Sequence, residues 1–341
     1  MKENKFERDV QTIIRKWLPW ILTISIFIYL FHRIPIVNII DAIEQADIAL
    51  FLPILIFCVL FFYLIDTYIQ TFLFRSFGTD VNFRDMAPIR GATYLIVLLN
   101  YVAGQGGMVL LMNRWKNLAI SRATSVVIFS LFVDYYTLLA LCLAGAFSLP
   151  DVDLANFFDL TEAGHLVKFI VLSWMAIIFF LIFFLWILPH SNGLEWFKKN
   201  ELLASFREAH PLLYIQVGLV KCVMFVVGII CIYFALRAFH IYVPLIELSV
   251  MLPLVWFIGS IPITVMRMGT TQAAMVWLIV RYAESDLDIK SLEAVILAFS
   301  LLWETGFIFA RFAIGSISFS LLPRNLWVRK GNVISDELKQ D

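Results

Sequence analysis

From Ile48 to Phe74 a single charge, Asp66, interrupts an otherwise apolar run, and comparable runs recur near 122–148, 166–188, 213–238 and 292–322. At 1.5 Å per residue, about 20 apolar residues cross a hydrocarbon core ~30 Å thick, so each run has the length of a membrane span. A segment near 17–31 adds a first span. No small-residue cleavage site follows it in "HRIPIVNII", so it reads as a retained span rather than a signal peptide. With 61% hydrophobic and 15% charged residues, the 341-residue chain has too little polar surface for a soluble domain of its size. The expectation is an all-α polytopic membrane protein with about six full spans, one integral domain over 1–322 and a polar cytoplasmic tail over 323–341.

Formal net charge is zero, which leaves no basic field for nucleic acid. The four cysteines, Cys58, Cys142, Cys222 and Cys231, sit inside apolar runs without CxxC spacing and read as packing residues. There is no HExxH, no GxSxG and no phosphate-binding GK[ST], so the sequence points to no catalytic residue, metal or cofactor.

Two apolar stretches do not read as simple spans. Residues 91–112 contain "AGQGG", and 245–280 contain "GSIPITVMRMG". Cytoplasmic loops carry the excess of Lys and Arg, which decides how these stretches lie. Lys2, Lys5, Arg8, Arg15 and Lys16 place the N-terminus inside, while the loop 32–47, with Asp41, Glu44 and Asp47 against one arginine, reads as outside. Arg75, Arg84 and Arg90 bring the chain back inside. A single crossing by 91–112 would put Arg114, Lys116 and Arg122 outside and the acidic loop 150–164 inside, so this stretch is expected to dip in from the cytoplasm and return. By the same reasoning 245–280 forms a hairpin entering from the outside, ahead of the acidic "AESDLDIKSLE", and the last span delivers Arg324, Arg329 and Lys330 to the cytoplasm. Both termini are then cytoplasmic. Two units, about 48–148 and 213–322, repeat span, Gly-interrupted hairpin and span in opposite directions, the pattern of an inverted-repeat transporter.

An ionisable side chain at membrane depth costs about 2.5–3.5 kcal/mol on insertion scales, so it has a partner, a watery cavity or a function. The candidates are Asp66, Asp134, Lys221, Arg267, Glu304 and Arg311. Pro262 should end one half-helix, and Gly269 should N-cap the next, with Gln272 at N3 reaching back as in a capping box. The free N–H groups of that turn, with Arg267 and Thr270, would suit an anion, and in a membrane the commonest anion is a lipid phosphate. Asp134 and Glu304 are then counter-charges or proton-coupling groups, and pairing or snorkelling is the first expectation for Asp66 and Lys221. Gly104, Gly106 and Gly107 permit close approach by a neighbouring helix or a ligand.

"LLNYVAGQGGMVLLMNRWKNLAISRATSVVIFSLFVDYYTLLALCLAG" and "SIPITVMRMGTTQAAMVWLIV" resemble the membrane region of the lysylphosphatidylglycerol synthases, a broad flippase-like family that includes stand-alone chains. The likeness rests on a Gly-containing hairpin and a basic turn before the helix of Asp134, and on Pro262, Gly269, Gln272 and Ala273 in the second turn. The chain departs from the family pattern at Ser130 and Leu131, which stand where a Glu-Arg pair is usual, and at Arg267 and Gln272, which stand for a glycine and a glutamate. The resemblance implies a bacterial or archaeal plasma-membrane protein that moves a lipid with a charged or modified headgroup, an aminoacylated phospholipid or a polyprenyl-linked sugar, between leaflets as a flippase or scramblase. The soluble aminoacyl-transferring domain of the synthases has no counterpart in the sequence. The alternative is an intramembrane enzyme, or an accessory subunit working with a glycosyltransferase or transferase that makes such a lipid.

Overall fold

The computed structural model describes residues 20–148, 200–260, 264 and 268–323, and among them the regular elements are helical apart from one isolated backbone bridge. The expected span at 166–188, the acidic loop 150–164, Pro262, Arg267, and the charged N-terminal and C-terminal segments lie outside the described residues. Among the described residues four helices are long and apolar enough to cross a membrane: α3 (Ile48–Ser76), α6 (Ile120–Ser148), α8 (Pro211–Arg237) and α11 (Ile289–Ser320). A fifth candidate is a bent pair, α1 (Trp20–Arg33) and α2 (Ile36–Glu44), which turn through 80°. The sequence reading left 32–47 as a loop. Its Ile36, Ile39, Ile40 and Ile43 instead follow helical spacing, with Ile39 and Ala42 buried and Pro35 at the N-cap, where its missing N–H costs nothing.

Local signals fix the starts of the long helices. Asp47 caps α3 by accepting from the Leu50 N–H (3.0 Å), and Asp288 caps α11 by accepting from the Ser291 N–H (3.4 Å). Pro211 opens α8 at a position where its fixed φ suits a helix.

The first interrupted stretch is a helical hairpin. Its arms are α4 (Phe83–Leu99) and α5 (Tyr101–Lys116), joined through Asn100 in an extended conformation (φ −161°, ψ 127°). The break therefore falls at Asn100 and not at "AGQGG", as the sequence reading had it. The Asn100 side chain accepts from the Ala103 N–H (3.0 Å) and starts α5, while the glycines lie within that helix at ordinary negative φ. A Cβ on Gly104 would collide with Val97 and one on Gly107 would stand 2.6 Å from Ile96, so these two glycines set the distance between the arms. Gly106 is exposed, with open space beside it. At the open end Lys116 pairs with Asp85 (2.6 Å), which closes the hairpin and holds the Asp85 carboxyl below the usual carboxylate range.

The second stretch contributes α9 (Leu245–Ser260) and α10 (Thr270–Ile279), which pack together. Gly269 precedes α10 at φ 91°, a left-handed conformation that favours glycine, and its N–H donates to Gln272 Oε1 (2.6 Å). This is the cap expected from the sequence. Here the open end is closed by backbone alone, the Glu284 N–H donating to the Tyr242 carbonyl (2.7 Å).

Packing between the long elements is reciprocal. The lead helices α3 and α8 run antiparallel, Asp47 meeting Ala238 at one end (N–H to carbonyl, 2.8 Å) and Asp66 approaching Lys221 further along. The exit helix α11 packs on α4 of the first hairpin, and the exit helix α6 packs on α9 of the second. A glycine stands at each crossing: a Cβ on Gly315 would press on Leu95 (2.7 Å), and one on Gly145 on Val250 (3.1 Å).

Candidate functional site

Burial along α3 and α8 changes character in the middle. Phe51 to Val59 of α3 and Ile229 to Leu236 of α8 belong to one apolar cluster, which also takes in α1, α2, α9, α10 and α11. Ile69 to Phe74 and Leu213 to Val217 belong to another, built with α4, α5, α6 and the short α7 (Ala204–Glu208). Between the two clusters lies a layer of charge. Asp66 of α3 accepts from Arg90 Nε of α4, Lys221 Nζ of α8 lies 3.8 Å from Asp66 Oδ1, and the same Nζ lies 2.6 Å from Asp134 Oδ1 of α6. One helical turn further on, Gln70 Nε2 donates to Ser130 Oγ (2.9 Å). Asp66 is ten residues from the end of α3 at Ser76, about 15 Å at 1.5 Å per residue, which is half the depth of a hydrocarbon core.

The charges of Asp66, Arg90, Lys221 and Asp134 cancel, and the pairing is what makes their burial tolerable. Taking an ion out of water costs several kcal/mol, recovered only when an opposite charge and hydrogen bonds meet it in good geometry. Lys221 is buried almost completely and is shared by carboxylates on two different helices. Asp134 is the most accessible of the four, with 28% of its side chain exposed. Arg90 keeps one donor, Nη1, buried and without a hydrogen-bond partner. Its guanidinium carbon also stands 5.5 Å from the centre of the Tyr94 ring, and that of Arg311 stands 5.9 Å from the same ring and 5.3 Å from the ring of Phe307.

Of the residues singled out in the sequence, Asp66 and Asp134 come together through Lys221. Arg311 lies beside them through Tyr94, and part-buried Glu304 lies two turns earlier on α11. Gly269, Thr270 and Gln272 form the start of α10 on the second hairpin, with the Thr270 and Thr264 hydroxyls 3.0 Å apart. Gln272 there is fully buried, and its Nε2 and the neighbouring Thr271 hydroxyl have no hydrogen-bond partner. Arg267 lies outside the described residues.

Arg90 is the residue that sequence reasoning misplaced, counting it as a charge of the cytoplasmic loop 75–90. It lies in the third turn of α4, 8% exposed and ion-paired. A signal for this was present in "NFRD": Asn82 and Asp85 have capping-box spacing, and the Asn82 N–H donates to the Asp85 carboxylate (3.3 Å), so the helix begins well before Arg90. Among the described residues no three His, Cys, Asp or Glu side chains gather as a metal site.

A family model described as lysylphosphatidylglycerol synthase TM region matches residues 16–305. No curated protein and no solved structure matches the chain.

Proposed function

The chain belongs to the lysylphosphatidylglycerol synthase transmembrane-region family, and from that premise we propose that it moves an anionic or modified-headgroup lipid between leaflets, as a flippase or scramblase. In this reading α4–α5 is a re-entrant hairpin entering from the cytoplasm, and α9–α10 is its counterpart entering from outside. The units 48–148 and 213–322 are inverted repeats, and both termini are cytoplasmic. Support comes from the antiparallel lead helices and from the reciprocal packing of each exit helix on the other unit's hairpin.

The observation that carries the proposal is the buried charge layer. Lys221 belongs to one unit, while Asp66 and Asp134 belong to the other, so the junction between the units is made of exchangeable ion pairs at membrane depth. Intramembrane ionisable groups of this kind mark substrate or ion pathways in transporters. Sliding of one unit against the other would let Lys221 keep one carboxylate while it leaves the second. Asp134, Asp66 and Glu304 serve as charge partners or proton-coupling groups. The lipid phosphate is met by Arg267 and the start of α10, at Gly269, Thr270 and Gln272, where Gln272 Nε2 is buried without a hydrogen-bond partner. The glycine-bearing arm with Gly104, Gly106 and Gly107 forms the opposite wall. An enzyme that makes the modified lipid, a glycosyltransferase or an aminoacyl transferase, is the partner this reading calls for.

The test is lipid translocation in reconstituted vesicles, followed with headgroup-labelled phosphatidylglycerol. Lys221→Met should slow translocation roughly tenfold or more, since it leaves two carboxylates without their shared cation, and Arg267→Ala should do so through the lipid phosphate. Folded Lys221→Met protein that translocates at the wild-type rate would remove the charge layer from the mechanism. Turnover of labelled lipid in detergent, where no leaflets exist, would favour an enzyme instead.

A further inference from the structure

Helices α4 and α11 cross at contact distance where Gly91 faces Ser318 and Gly315 faces Leu95, and Arg90 and Arg311 stand within a turn of those glycines. Both guanidinium groups lie within cation–π range of one ring, Tyr94, itself buried. Asp66 takes Nε of Arg90, while Arg90 Nη1 remains buried and unpartnered. Among the described residues Arg311 forms no ion pair, and its guanidinium stands against the rings of Tyr94 and Phe307. Arg311 adds a cation beside the neutral set of Asp66, Arg90, Lys221 and Asp134, with part-buried Glu304 two turns earlier on its own helix.

We propose that Arg90 and Arg311, which both stand against the ring of Tyr94, form a phosphate clamp between α4 and α11 that takes the phosphodiester of a membrane lipid. Guanidinium is the group best suited to this, because its planar fork matches phosphate oxygens and it stays charged in a poorly hydrated site. Arg90 offers a free donor from the protein side. Arg311 is part-exposed on α11, between the exposed Phe309 and Phe312. Arg90 lies within the residues matched by the family model, and Arg311 lies beyond them. The inference rests on the lipid-transport reading for its ligand class, and adds a second place where the phosphate is held, separate from the start of α10.

Binding to the full chain in detergent tests it without reference to transport. Short-chain phosphatidylglycerol should bind the wild type and raise its unfolding temperature, whereas diacylglycerol, which lacks the phosphate, should do neither. Arg311→Gln should weaken phosphatidylglycerol binding roughly tenfold, a loss of about 1.4 kcal/mol. Arg311→Lys should recover part of it, because charge returns without the fork. Arg311 is the probe because Arg90 also holds Asp66. Unchanged binding in Arg311→Gln overturns the clamp, and so does a wild type that does not distinguish phosphatidylglycerol from diacylglycerol. Inorganic phosphate that binds as tightly as phosphatidylglycerol, and competes with it, overturns the lipid assignment in favour of a free-anion site. Wild-type protein that binds phosphatidylglycerol through Arg311 but does not translocate it retains the clamp and sinks the transport reading.

Discussion

The two hairpins solve one problem with different chemistry. In α4–α5 the first arm is tied by charge at two levels: Asp85 to Lys116 at the open end, and Arg90 to Asp66 further along. In α9–α10 the open end is closed by the Tyr242–Glu284 backbone bridge, and α10 starts at the Gly269–Gln272 cap. The first hairpin is therefore fastened to the rest of the bundle by ion pairs. The second is held by apolar packing and keeps buried polar groups, Gln272 Nε2 and the Thr271 hydroxyl, without partners. The first therefore carries buried paired charge, and the second carries buried neutral donors without partners.

The largest effect should come from breaking the charged side of this contrast. Asp66→Asn or Arg90→Met leaves an uncompensated buried charge and should cost about 3–5 kcal/mol, seen as a large fall in unfolding temperature or folded yield. The double variant should lose less than the sum, because it removes both charges of the pair. Additive losses would mean that the pair does not act as a unit.

Next come the crossings. Gly145→Leu and Gly315→Leu each force a side chain into a contact with the other unit's hairpin, at Val250 and Leu95, and should cost about 1–3 kcal/mol apiece. Equal losses in thermal unfolding would support reciprocal packing. A neutral Gly145→Leu would show that α6 and α9 do not pack as α11 and α4 do.

Smaller effects separate stability from ligand binding at the neutral tip. Gln272→Ala removes the cap and should cost about 1 kcal/mol. Thr271→Val removes an unpartnered buried hydroxyl and should leave stability unchanged or slightly raised. If Thr271 serves a ligand, the same variant lowers lipid translocation despite its stability, and unchanged translocation would exclude that role.

The smallest effect is expected at the Asp85–Lys116 tie, about 0.5 kcal/mol for a partly exposed pair. Because pairing lowers the Asp85 carboxyl below its ordinary range, its contribution is fully present above that range and is lost as pH falls through the depressed value. Asp85→Asn should remove this part of the acid dependence of thermal unfolding. An unaltered pH profile would show that the pair contributes nothing to the hairpin.

What was legible in the sequence was local. The cap at Gly269 and Gln272 needs only three residues of spacing and a glycine that tolerates positive φ, and it was found where expected. The break at Asn100 was missed because a Gly cluster is a weaker stop signal than an Asn able to cap the following turn, and "AGQGG" drew attention away from it. Arg90 was misread because charge counting treats every arginine near an apolar run as a loop residue. Whether an arginine is buried depends on finding a carboxylate from another helix, here Asp66, 24 positions away.

Hydropathy and charge by themselves determined that this chain is a helical membrane protein, and they located its long helices, because the bilayer's thickness and its intolerance of unpaired backbone act on each segment independently. They also marked Asp66, Asp134, Lys221 and Arg311 as expensive. Only the tertiary structure decided who pays whom: that Lys221 joins Asp66 to Asp134, that Arg90 enters the same layer, and that Arg311 reaches Tyr94. Ion pairing between helices is a distance, and the sequence carries no distances between segments until the helices pack.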